Sequence, residues 1–158
     1  MQLKQGCRLW WLVLPTVAID RICKLAALEA LAPHGVQEAI PGVLSWAFMK
    51  NTGAAFGMMS GSYLLPLLTA VLIVALLICL LRSPGMDNLC RCGLWLIIGG
   101  GLGNLYDRLV YGYVIDFIRL DFINFAVFNP ADVFVCTGAA LAALSVLLSE
   151  ARRKQNHG

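Results

Sequence analysis

The chain has 158 residues, 59% of them hydrophobic and 13% charged, with a mean hydropathy of +0.77. Those values exclude an ordinary soluble domain and make lipid the expected solvent. The formal net charge is only +3 and the basic residues form no single stripe, which excludes a nucleic-acid footprint.

A run of about 20 apolar residues crosses the hydrocarbon core as a helix, and four segments approach that length. The first, about 8–31, has a basic start like that of a cleavable signal peptide. No small-x-small site follows and Asp20, Arg21 and Lys24 interrupt it, so it is expected to stay attached. Gly6-Cys7 has no apolar stretch before it, which argues against lipidation there. Asp20 and Lys24 stand one helical turn apart and read either as an internal ion pair or as groups with a direct role. The second span, about 62–81, is wholly apolar from Leu64 to Leu81 and reads as scaffold.

The third span, about 93–110, contains Gly99-Gly100-Gly101-Leu102-Gly103, where Gly99 and Gly103 have a small-xxx-small spacing that admits a neighbouring backbone. As a dinucleotide loop it fails, because Asn stands at 104 and no soluble strand precedes it. Asn104, Asp107 and Arg108 follow at i, i+3 and i+4, one helical face that suits either a polar cavity or an interfacial ion pair ending the helix. The fourth span covers about 133–149. Lys4, Arg8, Arg82, Arg91, Arg152, Arg153 and Lys154 sort to one side, against Lys50, Arg108 and Arg119, so the positive-inside rule puts both termini in the cytoplasm. Cysteines fall in apolar runs or basic flanks, and Cys90-x-Cys92 lacks a second ligand pair, so no metal site is expected.

Two carboxylates lie between the third and fourth spans. Val114-Ile115-Asp116-Phe117-Ile118 sets Asp116 in apolar surroundings, where burial disfavours the charged form. In Asn129-Pro130-Ala131-Asp132, Asn129 suits an N-cap and Pro130 the first helical position. Asp132 then falls at the third position, where the helix dipole favours negative charge. The loop from Tyr111 to Asp132 is short enough to bring both to one membrane depth. Such a pair is the acid–base set of an aspartic protease. Spacing alone leaves Asp132 readable as a helix cap, Asp116 as a loop residue and Asp121 as a competitor for the second role.

The chain resembles the lipoprotein signal peptidase family, signal peptidase type II. The resemblance rests on Asp20 to Lys24, Asn51-Thr52-Gly53-Ala54-Ala55-Phe56, Gly103-Asn104-Leu105-Tyr106-Asp107-Arg108, Val114-Ile115-Asp116-Phe117 and Phe128-Asn129-Pro130-Ala131-Asp132, five motifs in order over nearly the full length. It implies an all-α membrane protein, a four-transmembrane-helix bundle with a small extracytoplasmic β-rich platform at about 33–61, forming one peptidase domain over 1–158. Trp46 and Phe48 of that platform suit a membrane interface. The implied activity is aspartic endopeptidase cleavage of diacylglyceryl-modified prolipoproteins before the lipidated Cys. Asp116 and Asp132 would be catalytic; Asn51, Gly53, Asn104, Arg108 and Asn129 would contact substrate or line the cleft; Asp20, Lys24 and Asp107 would support them. No metal or other cofactor is implied, nor any nucleic acid. The expected setting is the bacterial inner membrane, with the site at the outer leaflet, membrane lipid around it and a monomer as the working unit. Arg21-Ile22-Cys23 departs from the polar residues expected between Asp20 and Lys24. The alternative reading is a small transporter or channel subunit using intramembrane charges.

Overall fold

The computed structural model describes residues 9–32, 34–53 and 63–157. Lys4, Gly6-Cys7, Arg8, Pro33 and the Ala54 to Ser62 part of the platform lie outside the described residues. After a 3-10 turn at Trp10–Leu12 the elements are α1 (Val13–Leu31), β1 (Gln37–Ile40), β2 (Leu44–Asn51), α2 (Leu64–Arg82), α3 (Asn88–Tyr111), β3 (Val114–Leu120) and α4 (Pro130–His157). The molecule is thus mostly helical with one small sheet.

Among the described residues two helices, α2 and the Pro130–Gln155 part of α4, are long and apolar enough by composition to cross a membrane. α1 and α3 match their expected positions, but their charged residues and glycines dilute the apolar signal. α3 begins earlier than the expected span because the Asp87 carboxylate accepts the Leu89 and Cys90 N–H groups at 2.8 and 3.0 Å. It ends at Gly112, whose φ of 77° is the left-handed cap that a side chain resists. Asp87 also accepts the Ser145 hydroxyl from α4, tying the two helices at that end.

The glycine tract packs on two sides. A Cβ at Gly99 would lie 2.8 Å from Thr16 on α1, and one at Gly103 would strike the Asp20 carboxylate. Gly100 turns the other way, where a Cβ would run into the Ala131 carbonyl of α4, and Gly93 and Gly138 oppose each other backbone to backbone. Missing side chains therefore let α1 and α4 sit against α3 at backbone distance. Arg91, grouped with the basic flank in the sequence, is 2% exposed and donates to the Met86 carbonyl at 3.1 Å.

The sheet has the order β1-β2-β3, antiparallel throughout. β3 arises in a segment that reads as loop, because the β-branched and aromatic residues Val114, Ile115 and Phe117 are buried there beside β2, with Ile118 half-buried. Its pairing sets Asp116 opposite Met49 and Val114 opposite Asn51. Trp46 and Phe48 are half-buried and pack, with Phe117, Ile115, Ala27 and Leu31, into the core joining the sheet to the end of α1.

Candidate active site

Five elements or their ends converge where β3 meets the start of α4. Asp116, 1% exposed, extends from β3, and Asp132 from the first turn of α4. Both line one cavity of about 430 Å³, together with Asn51, Gly53, Arg108 and Val133. Asn129 touches both aspartates. Its side-chain amide donates to Asp116 Oδ1 at 2.6 Å, while its backbone N–H donates to Asp132 Oδ2 at 3.2 Å and its Oδ1 accepts the Asp132 N–H at 3.1 Å. The last two bonds form a reciprocal cap of α4.

Three asparagine amides have orientations dictated by their partners. Asn129 Oδ1 faces a backbone N–H, Asn51 Oδ1 faces the Gly53 N–H at 3.0 Å, and Asn104 Oδ1 faces the Lys24 ammonium at 2.8 Å. Each of those donors has nothing to accept with, so each amide must turn its NH₂ toward an aspartate. Asn51 then donates to Asp116 Oδ2 at 2.8 Å and Asn104 to Asp132 Oδ1 at 2.7 Å. Burial outweighs the two amide bonds at Asp116, and the nearby Asp132 charge adds to it, so its pKa is pushed up to about 6.

Arg108 supplies positive charge facing Asp116, Asp132 and Asp107, and its Nη2 donates to the Gly53 carbonyl at 3.1 Å. It thereby ties the end of β2 to α3.

Behind the cavity lies a buried ion network. Lys24 Nζ is 2.9 Å from Oδ2 of Asp20 and 2.9 Å from Oδ2 of Asp107, and all three side chains are fully buried. The i,i+4 pair read from the sequence is therefore shared with a second carboxylate. Asp20 Oδ1 accepts the Ala131 N–H at 3.1 Å, and Asp107 Oδ2 accepts the Ile115 N–H at 3.2 Å. Each buried carboxylate thus holds the backbone of the residue just before a cavity aspartate.

The structure brings the ten catalytic, substrate-contacting and supporting residues expected from the resemblance into this one assembly. Asp121 lies apart on the sheet, where Ser45 at 2.5 Å, and then Arg119 at 2.7 Å, hold its carboxyl below the usual range. Sequence reasoning missed Phe125, Val127, Cys136 and Thr137 on the cavity wall. Cys136 was legible in hindsight, one turn beyond Asp132 on the same helical face. Among the described residues no group of His, Cys, Asp or Glu gathers as metal ligands.

Two carboxylates on one cavity, one of them buried with its pKa raised, are groups that can exchange protons with a bound molecule. The family model for signal peptidase II matches residues 12–148. The chain is 35% identical over 142 residues to the lipoprotein signal peptidase of Streptococcus agalactiae serotype Ia, covering 89% of this chain and 91% of that protein. It is 37% identical over 133 residues to the lipoprotein signal peptidase of Streptococcus thermophilus, covering 84% and 87%. A bacterial membrane enzyme solved by the in meso method at 2.3 Å resolution superimposes with a TM-score of 0.83 at 26% identity, over 89% of this chain and 87% of that one. The class is that of an aspartic membrane peptidase. The chain belongs to the signal peptidase II family.

Proposed function

We propose that this protein removes signal peptides from diacylglyceryl-modified prolipoproteins, cleaving before the lipidated Cys with Asp116 and Asp132 as the catalytic pair. The observation that carries this reading is the single cavity lined by both carboxylates and bridged by Asn129. In this scheme all four helices span the bacterial inner membrane with both termini cytoplasmic. The cavity opens at the outer leaflet, and residues 1–158 act as one domain and as a monomer among lipids. The burial of Lys24, Asp20 and Asp107 inside the bundle supports the spanning role of α1 and α3, since charges in lipid must be paired.

Asp132, at the positive end of α4, takes a proton from a water lying between the carboxyls. Neutral Asp116 gives its proton to the scissile carbonyl oxygen as the water oxygen bonds to the carbon. Asp132 then protonates the departing nitrogen of the lipidated Cys, and Asp116 recovers a proton from a hydroxyl of the intermediate as the C–N bond breaks. The products are the signal-peptide carboxylate and a free amine. Asn51, Gly53, Asn104, Arg108 and Asn129 orient the substrate and the two acids, while Asp20, Lys24 and Asp107 hold the frame. The transporter reading gains no support, because those three intramembrane charges are occupied with one another and with backbone N–H groups.

The direct test is purified protein with a diacylated prolipoprotein and mass spectrometry of the products. A single cut before the modified Cys is expected, and no cut, or a cut elsewhere, refutes the reading.

The acid role of Asp116 also fixes a pH sign. It must be protonated, so kcat/KM should fall as pH rises through about 6. The Asn51 amide favours the ionised form, so Asn51→Ala should move that falling limb to higher pH whatever it does to the maximum. A limb that stays in place under this substitution argues against Asp116 as the acid.

A further inference from the structure

The scheme above leaves one charged group of the buried network without a task. Arg21 Nη1 is paired with Asp107 Oδ1, the carboxylate oxygen not used by Lys24 and Ile115. Its guanidinium stacks over the Tyr106 ring at 4.7 Å and lies 5.7 Å from the Tyr111 ring, so the residues at i−1 and i+4 from Asp107 on α3 clasp it. Tyr106 and Tyr111 themselves meet edge to face at 6.4 Å, which makes the clasp a preformed seat for a planar cation.

Charge balance gives this contact its consequence. Asp20 and Asp107 are two buried negative charges facing the single ammonium of Lys24. Lys24 alone would leave one charge uncompensated, a costly state in a buried site. With Arg21 the four groups sum to zero. Arg21 holds Oδ1 of Asp107, which fixes the carboxylate with Oδ2 shared between Lys24 at 2.9 Å and the Ile115 N–H at 3.2 Å. Adjacent residues on α1 therefore reach both halves of the site: Asp20 through Ala131 to Asp132, and Arg21 through Asp107 and Ile115 to Asp116.

We propose that Arg21, seated between Tyr106 and Tyr111, is a positioning residue that keeps Asp107 on the Ile115 amide and so holds Asp116 at its place in the cavity. This rests on the peptidase reading for its kinetic consequence, but the hydrogen bond it concerns is measurable without turnover.

The experiment compares Arg21→Met, Arg21→Gln and Arg21→Lys in the full-length protein. It uses steady-state processing of a diacylated prolipoprotein and hydrogen–deuterium exchange of the peptide covering Val114 to Phe117. Arg21→Met should lower kcat on the order of tenfold with KM within about twofold, because the loss falls on alignment and not on substrate contact. Exchange in the Val114 to Phe117 peptide should accelerate while α2 stays protected as before. Arg21→Lys, which restores the charge without the planar fork, should recover part of both. Should Arg21→Met fail to accumulate, the same changes are expected of Arg21→Gln. Parental kcat with unchanged local exchange, or acceleration spread evenly over all helices, overturns the assignment. Asp116→Asn run in parallel separates the two failures. If it keeps turnover, the catalytic pair is wrong while exchange still decides the role of Arg21; if it is dead and the Arg21 variants are normal, only the Arg21 assignment falls.

Discussion

Replacing either Asp116 or Asp132 with Asn is expected to reduce prolipoprotein processing by about a thousandfold or more, since each substitution removes a group that must exchange protons during the reaction. Asn preserves shape and some hydrogen bonding, so the fold should survive. The reciprocal cap of α4 keeps the Asn129 Oδ1 bond to the backbone N–H of residue 132 even without the carboxylate. The control is Asp121→Asn, whose carboxylate is engaged by Ser45 and Arg119 away from the cavity and which should process at close to the parental rate. Processing assays in membranes containing matched amounts of each variant check all three. Near-normal turnover by either cavity variant removes the pair, and a dead Asp121→Asn moves the chemistry to another carboxylate.

The second large effect is on stability. Lys24→Met removes the ammonium between Asp20 and Asp107, each 2.9 Å away and fully buried, and takes the donor from Asn104 Oδ1. Breaking a buried ion pair on one side costs about 3–5 kcal/mol because the stranded charge remains inside. Here Asp20 is left without a cation, Asp107 keeps only Arg21, and the Asn104 amide loses the partner that turns its NH₂ to Asp132. The variant should accumulate poorly in membranes and unfold in detergent more than about 5 °C below the parent. The double variant with Asp20→Asn should recover part of that loss, since it removes the stranded charge and leaves the Asp107–Arg21 pair intact. An unfolding midpoint equal to the parent's would mean the network is hydrated and not buried.

Much of this assembly was legible in the residues because its parts are local. Asn129, Pro130 and Asp132 form a helix start whose geometry follows from four consecutive positions, and the structure has the cap on Asn129 with Asp132 returning the bond. Asp20 and Lys24 are one turn apart and do pair. Asn104, Asp107 and Arg108 share a helical segment, and each finds a polar partner. The strand at Val114–Leu120 was not legible, since a seven-residue stretch flanked by polar residues becomes a strand only when β2 is beside it. The role of Arg21 was hidden for a related reason: its partner Asp107 lies 86 residues away in the chain.

What the sequence determined by itself is the lipid-loving character, the helical segments with their caps, and the motif set that marks the family, because each depends on composition or on neighbours within a turn. Only the tertiary structure decided which charges neutralise which, how three asparagine amides turn toward two aspartates, and that one carboxylate grips the amide before each of them. Those choices belong to contacts between distant segments. They exist only once the bare glycine faces of α3 have let α1 and α4 close against it.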